Sequence, residues 1–124
     1  MAIRDSLRAS VAPYLQAGEP VQAVFAAQTA SQYLAGLTGV FVFLSLNRYR
    51  IVVATPTRIL VLDTGKAGLK TVRGVVMELP RSTRLGPPTG LWYKIPVGQE
   101  TLRVHRRYFK DIESADATAP MPQR

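Results

Sequence analysis

The chain predicts a mainly β domain: about six or seven antiparallel strands in a β-barrel-type sheet, closed by one C-terminal α-helix. Three observations carry that expectation. The stretch from Tyr49 to Asp63 holds two runs of β-branched and aliphatic residues, Ile51-Val52-Val53 and Ile59-Leu60-Val61-Leu62, around a polar break at Thr55-Pro56-Thr57. Such runs fit a pleated, half-buried surface, and Pro56 has no N–H to give a ladder, so the stretch reads as an antiparallel hairpin. Further short runs with period two follow it, and after Arg106 the spacing changes to helical.

Taken in order, residues 1–17 are expected to form an N-terminal amphipathic helix. Ile3, Leu7 and Val11 share one side, with Arg4, Asp5 and Arg8 elsewhere, and Pro13 kinks or ends it. Gly18-Glu19-Pro20 breaks the chain, and Val21 to Thr29 is the first strand. Asp63 to Gly68 reads as a turn and Thr71 to Leu79 as a strand. A Gly/Pro-rich connection runs through Arg81 and Arg84 to Gly90. Leu91 to Val97 is a strand with Leu91, Tyr93, Ile95 and Val97 inward, and Thr101 to His105 returns with Leu102 and Val104 inward. Tyr108, Phe109, Ile112 and Ala115 share one side of a closing helix, which covers the open end of the sheet. Residues 118–124 read as a disordered tail.

A chain of 124 residues is one domain by length, here residues 18–117 behind the N-terminal helix. Its formal charge of +8 points to anionic partners: an anionic lipid surface, nucleic acid or an acidic protein. Cysteine is absent, which excludes disulfides, thiolate metal sites and thiol nucleophiles. The N-terminus lacks the apolar run of a secretion signal, so the expected location is the cytoplasm, at the inner face of the cell membrane for a peripheral protein.

No charged residue lies between Glu19 and Arg48, and Tyr33 to Leu46 is apolar all round. It is shorter than the roughly 20 residues that an ordinary spanning helix needs. Three homes fit such a segment: the protein's own core, an interface with a partner or a second copy, or the acyl boundary of a bilayer. In the bilayer case Leu37, Val40, Phe41, Phe43 and Leu44 insert, each contributing about 1.5–3 kcal/mol. Arg48 and Arg50 then sit at phosphate level, each basic residue contributing about 1 kcal/mol. Arg58, Arg81 and Arg84 are the further candidate anion contacts.

The order of parts resembles the pleckstrin-homology fold, and the local sequence is similar to the bacterial pleckstrin-homology-like proteins. The likeness rests on Gly18-Glu19 before the first strand and on Val52-Val53-Ala54-Thr55-Pro56-Thr57-Arg58-Ile59-Leu60-Val61-Leu62, over roughly residues 18–117. It implies a bent barrel of about seven strands capped by the helix around Tyr108–Ala115, and a binding or scaffolding role rather than catalysis. Arg48-Tyr49-Arg50 matches the second half of the basic pattern of lipid-binding members. The upstream lysine of that pattern is replaced by the apolar segment, which argues against head-group-specific recognition and for apolar insertion flanked by arginines.

A second cluster, Arg103, His105, Arg106, Arg107 and Lys110 beside Tyr108, reads either as a solvated strand end or as a nucleic-acid patch with an aromatic to stack bases. Trp92 and Tyr93 either line a groove or pack beneath the long connection. His105 is the single histidine, with no second ligand group near it, so neither a metal site nor a general base is expected, and no cofactor. The eight carboxylates are scattered; only Asp111, Glu113 and Asp116 are close, as the expected polar face of the last helix. The resulting expectation is a non-enzymatic binding module on an anionic membrane surface. The alternatives are a homo-oligomeric protein-interaction scaffold using the same apolar segment, and a basic nucleic-acid binder.

Overall fold

The computed structural model describes residues 3–29, 48–65, 72–97 and 100–118. Helix α1 spans Ile3–Val11 and runs into a 3-10 turn at Ala12–Tyr14. Leu7 and Val11, one turn apart, are buried, and Pro13 sits in the turn where the α-helical ladder stops. Gly18 follows with φ +76°, a conformation that a Cβ disfavours, and the chain reverses there.

Six strands form one antiparallel sheet among the described residues: β1 (Ala23–Gln28), β2 (Tyr49–Ala54), β3 (Arg58–Gly65), β4 (Gly74–Pro80), β5 (Trp92–Val97) and β6 (Glu100–His105). Their order is β4-β3-β2-β1-β6-β5, a curled half-barrel with β4 and β5 at its edges. A 3-10 turn at Arg106–Tyr108 leads into helix α2 (Phe109–Ala117). The seventh expected strand is not found among the described residues.

The expected central hairpin is β2–β3, in the register Ala54↔Ile59, Val53↔Leu60, Val52↔Val61 and Ile51↔Leu62. All eight of these residues are buried. Thr55 closes the turn: its N–H donates to the Arg58 carbonyl at 2.9 Å, and its hydroxyl accepts from the N–H of Arg58 at 3.3 Å. All six residues of β1 are buried, with α1 and α2 both packed against that strand. The expected alternation of faces in β1 therefore does not divide core from solvent. The inward residues of β6 are Leu102 and Val104, as expected. Ile112 and Ala115 of the closing helix are buried, as is Tyr108 in the turn before it.

Several boundaries move. Asp63 and Thr64 are not a turn; β3 continues to Gly65, past a bulge between Val61 and Leu62. An ion pair from Asp63 Oδ1 to Arg50 Nη1 at 2.8 Å supports that extension. Leu91 precedes β5 and is half exposed instead of inward. Asp111 is buried instead of lying on a polar face. Asp116 accepts from the N–H groups of Leu85 and Gly86 at 2.8 and 2.9 Å, which fastens the long connection to α2.

Candidate functional site

The arginines of this sheet fall into two groups by what surrounds them. Arg58, at the start of β3, is held by the Glu19 carboxylate in a two-bond fork, Nε to Oε2 at 2.9 Å and Nη2 to Oε1 at 2.8 Å. Glu78 takes a third bond from it at 3.1 Å. The Thr55 hydroxyl also donates to Glu19, at 2.8 Å. Arg58 is the main cause that holds the Glu19 carboxyl far below its ordinary 4.5, down to about 2. The same fork raises the Arg58 guanidinium, and Glu78 adds to it.

Arg81 is buried at the end of β4. It donates to the carbonyl of Thr55 at 2.6 Å, the carbonyl of Ala115 at 3.0 Å, the Thr118 hydroxyl at 2.7 Å and the Gln22 amide oxygen at 2.9 Å. Burial lowers its affinity for the proton. One guanidinium thus ties the ends of β2 and α2 together. Arg84 is exposed and donates to the Asp116 carbonyl at 2.7 Å. Arg50 is buried and paired with Asp63. Arg48 is half buried, its N–H donating to the Thr29 hydroxyl at 2.9 Å. Of the candidate anion contacts, Arg50, Arg58 and Arg81 are therefore engaged inside the fold. Leu37, Val40, Phe41, Phe43 and Leu44 lie outside the described residues.

The opposite arrangement surrounds Arg103. Register places Lys94, Arg103, Gln28 and Tyr49 opposite one another across β5, β6, β1 and β2. Directly opposed residues point to the same face of a sheet, so these four side chains form one row. The next row holds Trp92 and His105, whose rings meet edge to face at 5.1 Å. A cavity of about 340 Å³ opens here, lined by Gln28, Tyr49, Trp92, Arg103, His105 and Arg107 with Ala26, Ala27 and Tyr108. No carboxylate is among these lining residues. Arg103 gives one N–H to the Thr29 carbonyl, and its Nε is buried without a partner. It thus differs from Arg58 in having no carboxylate in its described surroundings.

His105 is oriented by the chain that follows it. Its Nδ1 accepts the backbone N–H of Arg107 at 3.1 Å, capping the 3-10 turn. That bond assigns the neutral tautomer, with the proton on Nε2. Burial, then the nearby Arg107 and Arg106, lower the His105 pKa from 6.5, so the ring is neutral at pH 7. A neutral imidazole N–H and a guanidinium in one pocket are both donors to an anion. Arg106 and Lys110 are exposed beyond it, and Tyr93 packs on Phe109 at 6.3 Å between ring centres.

The sequence brings Arg103, His105 and Arg107 forward as one cluster, and the structure joins them to Trp92. It adds Gln28 and Tyr49, which sequence reasoning missed. Tyr49 belongs to the Arg48-Tyr49-Arg50 motif, but only the cross-strand register shows that it faces the Arg103 row. Among the described residues no group of three or more His, Asp or Glu side chains could hold a metal ion. No helix among them is long and apolar enough to cross a membrane. Comparison with known proteins gives no matching family model, no matching curated protein and no matching solved structure.

Proposed function

We propose that the chain is a non-enzymatic, pleckstrin-homology-like binding module that associates peripherally with an anionic membrane surface through one end of its sheet. The observation that carries this reading is the gathering of cations around β5, β6 and the turn that follows them. Lys94, Arg106, Arg107 and Lys110 are exposed there, beside half-buried Arg103. Thr29 and Arg48, the residues from which the apolar segment leaves and rejoins the sheet, adjoin this group through Arg103. The Thr29 N–H donates to the Arg48 carbonyl at 3.0 Å, and Arg103 bonds the Thr29 carbonyl. Apolar and cationic contacts would then meet a bilayer together.

Flotation with neutral and anionic vesicles across a salt series tests the reading. The protein is expected to float with anionic vesicles only, and less as salt rises. Replacing Lys94, Arg106 and Lys110 by Gln should weaken binding by roughly fivefold per residue, from about 1 kcal/mol each. Protein that stays at the bottom with every vesicle overturns it. The aromatic wall of the pocket favours the second reading, a nucleic-acid contact. That reading requires single-stranded RNA or DNA to bind with a steep salt dependence. Sizing the protein without lipid tests the third, a homo-oligomeric scaffold.

A further inference from the structure

The cavity beside Arg103 has features that an anionic surface alone does not use. It is concave, and three of its walls are aromatic: Trp92, Tyr49 and Tyr108. Its volume of about 340 Å³ lies at the small end of the roughly 300–1,000 Å³ typical of small-ligand pockets, room for one compact molecule and not for a polymer. Polar groups reach it from two strands and a turn. Arg103 and His105 come from β6, Arg107 from the turn after it and Gln28 from β1. Arg103 makes no ion pair among the described residues, and its Nε lacks any acceptor. A half-buried guanidinium without a counter-charge is costly, and an anion in the pocket relieves that cost.

We infer that this pocket binds a small planar anion of the nucleoside monophosphate class, with the ring against Trp92 and Tyr49 and the phosphate at Arg103 and Arg107. Flat rings gain from aromatic walls, at about 1–3 kcal/mol per stacked base. Arginine forks match phosphate oxygens in pairs. The neutral His105 supplies one further N–H. The site shares Arg103 and Arg107 with the surface contact proposed above but needs no membrane. A bare phosphate leaves the aromatic wall unused, and a neutral nucleoside leaves Arg103 uncompensated, so both parts of the ligand are required.

Trp92 is the one tryptophan of the chain, so tryptophan emission, excited selectively over the tyrosines, reports on this pocket. The test is a titration of the full chain, without lipid, with adenosine 5′-monophosphate, adenosine, ribose 5-phosphate and inorganic phosphate in parallel. The monophosphate is expected to change Trp92 emission saturably. The other three are expected to bind at least about tenfold more weakly, the loss that follows from removing one well-placed contact. Arg103→Gln, checked for its fold by circular dichroism, should weaken the monophosphate at least about tenfold. Exposed Arg107→Gln, which leaves the sheet untouched, serves the same purpose if Arg103→Gln does not fold. No saturable change up to about 5 mM monophosphate overturns the inference. So does equal binding of adenosine, or of either phosphate that lacks the base, or binding that survives neutralisation of the arginine. Flotation with anionic vesicles is unaffected by those failures, so the surface reading stands or falls separately.

Discussion

Arg58 and Arg103 sit on the same sheet with opposite surroundings. Arg58 is clasped by Glu19 and Glu78. Arg103 faces a cavity whose lining holds no carboxylate, with one backbone carbonyl as its acceptor among the described residues. Around Arg58 and Arg81 the cations are fasteners: each bond joins two distant parts of the chain. Arg103 makes one such bond, to the Thr29 carbonyl, and none to a carboxylate among the described residues. Net charge counts these arginines alike, and only the acceptors within reach tell them apart. The lesson is that a basic protein's binding surface is what remains after its internal ion pairs are subtracted.

Each side of that contrast can be broken. The largest effect is expected at Arg81→Ala. It strands the buried Thr55 carbonyl, leaves the Ala115 carbonyl with the Thr118 hydroxyl alone and empties the space of a buried side chain, so a loss of about 3–5 kcal/mol in urea unfolding is expected. A change under about 1 kcal/mol would remove Arg81 from the fasteners.

Next comes Glu19→Gln, expected to cost about 2–3 kcal/mol near pH 7. Its pH dependence carries a definite sign. The Glu19 carboxyl titrates at about 2 in the folded protein against an ordinary 4.5, so the unfolded chain takes up the proton first as pH falls. The stabilisation is complete above about pH 4.5 and is lost as pH falls toward 2. The gap in stability between wild type and Glu19→Gln should close over that window; a gap constant with pH contradicts the assignment.

Asp63→Asn removes the charge partner of buried Arg50 at the far end of β3, and about 1–2 kcal/mol is expected, because the carboxylate is partly solvated. The smallest effects belong to the open side. Arg103→Gln should change stability by less than about 1 kcal/mol and exposed Lys94→Gln by less than about 0.5 kcal/mol. A loss at Arg103 as large as that at Arg81 would mean that it too is a fastener, and the contrast would fail.

The sequence made the hairpin legible because the Ile51–Val53 and Ile59–Leu62 runs bracket a turn that Thr55 closes by local bonds. The closing helix was legible from the spacing of Tyr108, Ile112 and Ala115. Local pattern does not report long-range partners. Nothing near Arg81 in sequence announces the carbonyl of Ala115, 34 residues away, or near Arg58 the carboxylate of Glu19, 39 residues away. The same limit hid Gln28 and Tyr49 from the pocket, since β1 pairs with β6 across most of the chain. Leu91 was misplaced by extending a period-two pattern one residue beyond the ladder. The expected barrel of about seven strands is met in its coarser form, a curled antiparallel sheet with a terminal helix.

The paired bonds between Thr29 and Arg48 have a consequence for the alignment of the sheet. The Thr29 N–H meets the Arg48 carbonyl, and the Arg48 N–H meets the Thr29 hydroxyl, so β1 and β2 are latched where their connection begins and ends. The pairing from Ala23↔Ala54 to Gln28↔Tyr49 is set on the sheet side of that latch. The latch therefore acts as a clamp on alignment: its two bonds join Thr29 and Arg48 themselves, so the register of β1 and β2 is held by residues that flank the connection.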